Sequence, residues 1–305
     1  MSAPASAERP LLVVIDPLAR TMDGESVRIA KDVLRAGASS LKICIPESRE
    51  ELEWALAHRG RRRPVVVGDD QALLRTVRIL HRERMLEEAA LSLVPVGQRP
   101  TLTLARALGV PLSAVAAARA VLDGAERALD LLVDDCDGIV VGALQIPGGP
   151  EGGGDSGTAA QQTEGHWLGR GARTLVRALT APLPSLPLPS LPLPSLPLPG
   201  GRGPGGADAK NGGAAGHRLR VEADGVVLAD LDQPVHEVSV RAPADGLAEV
   251  LVRHPEGHGS LRIHAQVLTV SGRDFRYRAD ESEAGPVHRR TWTVQPRAWR
   301  LTVPR

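Results

Sequence analysis

The chain has 305 residues, 42 % of them hydrophobic, enough for two domains with cores of their own. Only 2 % are aromatic, so those cores must be aliphatic, and a formal net charge of +1 without stacking aromatics among the basic residues excludes a general nucleic-acid surface. Cys44 and Cys136 form no CxxC pair or disulfide framework, which suits a reducing cytosol. "MSAPASAERP" lacks the basic and apolar regions of a secretory signal, and no apolar run approaches the ~20 residues of a membrane span. Any membrane contact is expected to be peripheral, at the inner face.

Residues 11–146 alternate strand and helix signals. "LLVVID" is a continuous apolar run, as expected of a strand covered on both faces. "GESVRIAKDVLRAG" places Val27, Ala30, Val33 and Leu34 at helical spacing, with Gly37 positioned to end the helix. After the strand "SLKICI", the helix "SREELEWALAHRG" opens on Ser48 with Glu51 three residues on, a capping-box pattern. The strand "PVVVG" and helix "QALLRTVRILHRER" repeat the cycle. The strand "ALSLVPVG" and the helical runs "TLARALG" and "LSAVAAARAVLDGA" follow. Repeated βα units predict an open parallel sheet with helices on both faces. "ALDLLVDD" and "GIVVGALQI" flank a Cys-Asp-Gly turn and read as a hairpin leading out of this domain.

Residues 147–216 read as a Gly/Pro-rich linker. It holds a short helix candidate at 167–180 and a PLPSL repeat at 182–199 whose prolines dictate polyproline II. From 217 to 305 the pattern is β. "RLRVEADGVVLADL" gives two strands around an Asp-Gly turn, and six further short strand signals lead to "AWRLTVP". The fold class is therefore α/β, an N-terminal open parallel-sheet domain (1–146) followed by an antiparallel β-sandwich or barrel (217–305).

No P-loop, GxGxxG or GxSxG motif is present. His254, His258 and His264 cluster without a cysteine or paired carboxylate and read as a solvated turn, not a zinc site. Asp134, Asp135 and Asp137 resemble the start of a calcium loop but lack its glutamate. The stretch "VVVGDDQALLRTV" holds a Gly-Asp-Asp turn between a strand and an amphipathic helix. There Asp69 or Asp70 either caps the helix or faces a nucleotide.

Together with "LSLVPVGQRPTLTLARALGVP", "LRVEADGVVLADL" and "HRRTWTVQPRAWRLTVP", that stretch resembles the diacylglycerol kinase family of soluble bacterial lipid kinases, related in fold to sphingosine and NAD kinases. The resemblance implies a nucleotide-binding α/β domain, a β domain, and a phosphoryl-transfer site in the cleft between them. It also implies ATP and Mg²⁺ as cofactors and a lipid substrate at the membrane surface; oligomeric state stays open, a homodimer being one arrangement.

The family's first loop, Gly-Gly-Asp-Gly-Thr, falls on Gly68, Asp69, Asp70, Gln71 and Ala72, keeping Gly68 and Asp70 and losing two glycines and the threonine. Asp69 puts a carboxylate where backbone should meet phosphate. At ~4 Å and an effective dielectric of ~20 that repulsion is about 4 kcal/mol. The second loop keeps Pro95 and Gly97 but loses its Thr-Gly-Asn-Asp centre; Thr101 and Thr103 either replace a hydroxyl there or enter the next helix. Asp16-Pro17 stands for the family's Asn-Pro. Asp130 matches an aspartate after the helical region. Asp224-Gly225-Val226 matches an Asp-Gly-Glu from which the base region is drawn, and reads equally as a hairpin turn. The implied roles are Asp224 as catalytic, Asp16, Gly68, Asp69, Asp70 and Gly97 as nucleotide contacts, and Asp70 with Asp130 as metal ligands. The same losses admit a second reading, an inactive relative that keeps the fold as a nucleotide- or lipid-binding or regulatory module.

Overall fold

The computed structural model describes residues 10–88, 90–146, 216–242, 245–255 and 259–305. The expected linker helix at 167–180 and the PLPSL repeat lie outside them. Strands β1 (Leu11–Ile15), β2 (Leu41–Cys44), β3 (Arg63–Gly68) and β4 (Ser92–Pro95) form a parallel sheet in the order β2-β1-β3-β4.

Because side chains alternate along a strand, this sheet feeds two cores. Val13, Ile15, Val65, Val67 and Val94 pack with Val27, Ala30 and Leu34 of α2 (Gly24–Gly37) and with Ala117, Ala118 and Val121 of α6 (Ala114–Asp123). Leu12, Val14, Val66 and Leu93 turn the other way, onto Leu52 and Leu56 of α3 (Arg49–Ala57) and Leu73, Val77 and Leu80 of α4 (Asp70–Arg82). The helix α1 (Pro17–Met22), which the apolar pattern does not predict, starts on the Asp16 cap with proline at its first position. A short α5 (Thr103–Ala107) completes the layer.

Ser48 caps α3 as expected, accepting the Glu51 N–H at 3.2 Å, while Glu51 reaches back to the Glu47 N–H at 2.7 Å. Gly37 ends α2 as expected and has a second role. It is the last residue of α2, and a Cβ there would run into Leu122, so it serves the close approach of α2 and α6.

The second sheet is antiparallel and has eleven strands. Its members are β5 (Ala125–Asp134), β6 (Ile139–Val140), β7 (Leu144–Ile146), β8 (His217–Ala223), β9 (Val226–Ala229), β10 (Pro234–Val235), β11 (Glu237–Arg241), β12 (Ala248–Arg253), β13 (Ser260–Ala265), β14 (Val267–Ala279) and β15 (Ser282–Val303). The main path runs β13-β12-β11-β7-β14-β15-β5-β6, and β8 pairs with β14, β9 and β10. Strands β5 to β7, expected as a hairpin leading out of the α/β domain, pair within this sheet, and the last helix of the α/β layer ends at Asp123. The strand signals from residue 260 onward form β13 and two long strands, β14 and β15, which cross register shifts at Ser271/Phe275 and Gln295/Trp299.

The sheets share one core. Leu129, Leu131, Ile139, Val141, Trp299 and Leu301 from the antiparallel sheet lie in the same cluster as Leu73, Leu80 and Leu93. Leu91 exchanges backbone hydrogen bonds with Arg300 and Thr302 at 2.8 Å, and the Ser92 hydroxyl meets the Thr302 hydroxyl at 3.0 Å. Trp299 is 1 % exposed, and its indole N–H donates to the Asp130 carbonyl at 3.2 Å. Trp299→Ala should cost about 3–5 kcal/mol. Thermal unfolding of the variant should show one lowered transition for the α/β layer and the antiparallel sheet together; two separate transitions would mean the layers are not coupled through this core.

Candidate functional site

Open parallel sheets place ligands beyond the C-terminal ends of their strands. Here β1 ends at Asp16, β3 at Gly68 and β4 just before Gly97. The Asp16 side chain, 7 % exposed, accepts the Leu18 N–H at 3.0 Å with one oxygen and the Arg75 guanidinium at 2.5 Å with the other. A Cβ on Gly68 would lie 2.7 Å from that of Ala72 and 3.0 Å from that of Asp16, so the glycine lets β1 and the first turn of α4 close on each other. A Cβ on Gly97 would meet the Thr101 hydroxyl at 2.8 Å and the Asp69 Cβ at 3.2 Å. Both spaces are filled by the chain's own side chains.

Asp69 caps α4, its carboxylate accepting the Ala72 N–H at 3.1 Å. Burial pushes its pKa up, with Asp16 and Glu281 adding repulsion against the bond to Ala72 and the charge of Arg75. Asp70 is 1 % exposed. One of its oxygens accepts the Leu104 N–H at 2.7 Å and the other the Ala105 N–H at 2.9 Å, with the Thr103 hydroxyl at 3.4 Å. Burial raises its pKa too, those bonds opposing. The first loop thus clamps the second, and the expected open loop is a closed joint.

Asp16, Gly68, Asp69, Asp70 and Gly97 therefore gather at one crevice. Asp224 and Asp130 do not join it. Asp224 occupies the β8–β9 turn at φ 47° followed by Gly225 at φ 82°, and its oxygens accept the Gln266 and Val267 N–H groups. That turn lies beside the start of β14, whereas the crevice meets its end, up to about 40 Å away along a thirteen-residue strand. Asp224 thus stands in the hairpin turn that its Asp-Gly pair also allowed, apart from the crevice. Asp130, 2 % exposed, gives its oxygens to the Gly246 and Arg297 N–H groups at 2.6 and 2.9 Å, which stabilises the irregularity in β15. It shares no hydrogen-bond partner with Asp70. Of the three histidines, His258 lies outside the described residues, and His254 makes only a long contact to the Pro234 carbonyl at 3.4 Å.

The acidic pair that does reach the crevice is Asp280-Glu281, in the turn between β14 and β15. Asp280 accepts the N–H groups of Val141, Gly142 and Ala143 at 3.1, 2.6 and 3.2 Å, and burial raises its pKa against those bonds. Glu281 accepts the Gln71 amide at 2.5 Å. The available signal was "RADES" just ahead of "HRRTWTVQP", but two acidic turns compete in this half and only strand topology chooses between them. Among the described residues, the one cluster with metal-ligand spacing is Asp134, Asp135 and Cys136, on an exposed turn where Arg290 already bonds Asp135 and Cys136.

With parallel strands, loops and antiparallel sheet arranged in this way, the chain matches solved structures over nearly its whole length. A protein from Bacillus anthracis str. Sterne, provisionally named a diacylglycerol kinase, superposes with a TM-score of 0.65 at 13 % identity, covering 97 % of this chain and 98 % of that one. The fold is theirs. A second structure of that description, from the same organism, gives a TM-score of 0.63 at 13 % identity over 97 % of each chain. A third, described as a diacylglycerol kinase of that organism, gives 0.57 at 11 % over the same share of each. No protein-family model matches the chain, and no curated protein does. At such identity the likeness establishes a distant, lipid-kinase-like fold.

The residues present do not suit a magnesium nucleotide. Three carboxylates, Asp16, Asp69 and Glu281, border the crevice against Arg75, which Asp16 already holds. Asp70 is sealed under the second loop.

The raised pKa of Asp69 gives a signed test. A carboxyl whose pKa is higher folded than unfolded contributes stability at low pH and loses it as pH rises through the folded value. Asn caps a helix as well as Asp does. Asp69→Asn should therefore melt higher than wild type at pH 7–8, with the gap closing as the pH is lowered toward 4. A variant that melts lower at neutral pH would show that the charge stabilises the cap.

Proposed function

We propose that this chain is a non-catalytic binding or regulatory module on the lipid-kinase fold. The observation that carries this reading is the buried Asp70 carboxylate, whose two oxygens hold the backbone of the second loop. A phosphate loop works by offering free backbone N–H groups to an anion at a helix start. Here Asp69 and Asp70 are themselves the anions at the starts of α4 and α5.

A kinase reading, transfer of the ATP γ-phosphoryl to a lipid hydroxyl with Mg²⁺, has one specific point in its favour. The Asp280-Glu281 turn faces Gln71 across the crevice, where a base or metal-binding group would be needed. Incubation with γ-labelled ATP, Mg²⁺ and diacylglycerol decides between the two. We expect no transfer above that of Asp70→Asn. That variant should also lose about 2–4 kcal/mol of stability, since buried N–H groups lose a charged acceptor. Turnover that disappears in Asp70→Asn with the melting temperature unchanged would establish the kinase.

A further inference from the structure

The face that α4 leaves outside the core carries Arg78, His81 and Arg82 at i, i+3 and i+4, and Arg84 follows where the helix ends. With Arg49 of α3 they form one wall of a cleft of about 740 Å³. That volume falls in the roughly 300–1,000 Å³ range of small-molecule sites. The opposite wall includes Val133, Ile139, Val140 and Tyr277 from the antiparallel sheet. None of Asp16, Gly68, Asp69, Asp70 or Gly97 lines this cleft. Arg78 stands eight residues beyond Asp70, about 12 Å further along the helix.

Arginines on a helix face ordinarily find ion pairs or water. Arg49 and Arg82 fit that account, sharing the Glu53 carboxylate at 2.8 and 2.6 Å. Arg78 and Arg84 do not. Arg78 makes a single long side-chain hydrogen bond, 3.4 Å to the Ser282 hydroxyl, and the Arg84 guanidinium has neither hydrogen bond nor ion pair among the described residues. The carboxylates near them are also held by other groups, although Asp280 still feels the charge of Arg78. Asp280 is held by three backbone N–H groups, and Asp134 accepts the Cys136 and Gly138 N–H groups at 2.8 and 2.7 Å. Asp137 sits on an exposed turn. Arg84 moreover adopts φ 55°, the left-handed position that ends a helix and favours glycine, at a cost of about 1–2 kcal/mol for another residue. An unpaired guanidinium thus stands at the cleft edge on a backbone that disfavours it.

We infer that this cleft binds a phosphate monoester, with the dianion between Arg78 and Arg84 and an aliphatic body against Val133, Ile139 and Val140. The planar guanidinium fork matches phosphate oxygens in pairs, and the lining, Arg49, Arg78, Arg82 and Arg84 against Asp134 and Asp137, leaves positive charge for a dianion where a diester would supply one charge. Tyr277, the aromatic ring in the lining, is buried and packed edge-on against Trp292, which disfavours a stacked base and favours an aliphatic ligand. The assignment rests on the cleft alone and holds whether or not the crevice turns over ATP.

The full chain should be titrated calorimetrically with inorganic phosphate and with glycerol 3-phosphate. It should also be sedimented with phosphatidylcholine vesicles containing phosphatidic acid, a monoester lipid, or phosphatidylglycerol at equal surface charge. Binding to the soluble probes would identify a free phosphorylated ligand, and binding confined to the phosphatidic acid vesicles a membrane-borne one; either supports the site. Arg78→Gln and Arg84→Gly should each weaken binding about tenfold, whereas Arg289→Gln, an exposed arginine outside the cleft, should leave it unchanged. Arg84→Gly should keep or raise the melting temperature, because glycine suits that backbone, so its loss of binding could not be put down to misfolding. No binding in any arm, equal binding to phosphatidylglycerol vesicles, or undiminished binding in both cleft variants would overturn the proposal.

Discussion

Both oxygens of the Asp70 carboxylate accept backbone N–H groups at the start of α5, 2.7 and 2.9 Å away, in a position 1 % exposed to solvent. A buried charge persists only where its partners are fixed, so the bonds work in both directions: they hold the carboxylate, and the carboxylate holds the second loop. The arrangement spreads outward from there. Leu104, whose N–H is bonded, packs where Gly142 lacks a Cβ, and Gly142 in turn donates to Asp280. A chain of contacts runs from the first loop through the second into the β14–β15 turn. Every member is closed by protein atoms.

The same closure organises the fold around β15. This 22-residue strand starts at the crevice beside Asp280 and Glu281, pairs with β14 and then β5, and ends against Leu91 and Ser92 at the edge of the parallel sheet. With so few aromatic residues in the chain, two of its four tryptophans, Trp292 and Trp299, sit buried on this one strand. Trp299 lies in the core shared with α4, and Trp292 meets Tyr277 edge-on at 5.1 Å in the core of the antiparallel sheet. Trp299 stands where two aliphatic layers must be joined, a position that Val and Ala alone would fill poorly.

Much of the α/β layer was legible because its periods are clean. Apolar runs gave four strands, and Ser48 and the Gly-Asp-Asp turn marked helix starts. What escaped depended on partners distant in sequence. Gly37 reads as a helix terminator, which it is, but its close approach to Leu122 does not show in the sequence. The continuity of β15 past Arg297 is invisible until Asp130, 167 positions earlier, is found bonding its N–H. The choice between Asp224 and Asp280 had the same character. Each is an aspartate in a tight turn, and their difference lies in which end of β14 they occupy. The first loop was readable in both its senses, as cap or contact, because an N-cap aspartate and a nucleotide aspartate occupy the same place in the chain. Only the bonds to Leu104 and Ala105 separate them.

Helix α4 carries the consequence of this for function. Its first turn has Asp69 as cap and Asp70 within it, and its last turn has His81 and Arg82 with Arg84 just beyond. Acids at the start and bases at the end both lie with the helix dipole, so each end is stabilised where it stands. The result is a separation of charge along one rod. An acidic, internally satisfied joint lies at the strand ends, and some 18 Å away, at 1.5 Å per residue, there is a basic wall on which Arg84 finds no side-chain partner among the described residues. An anion approaching the chain meets repulsion at the crevice and attraction at the cleft. The electrostatic gradient that draws phosphate toward the start of a bare helix runs here in the opposite direction, because the start is already occupied by the chain's own carboxylates.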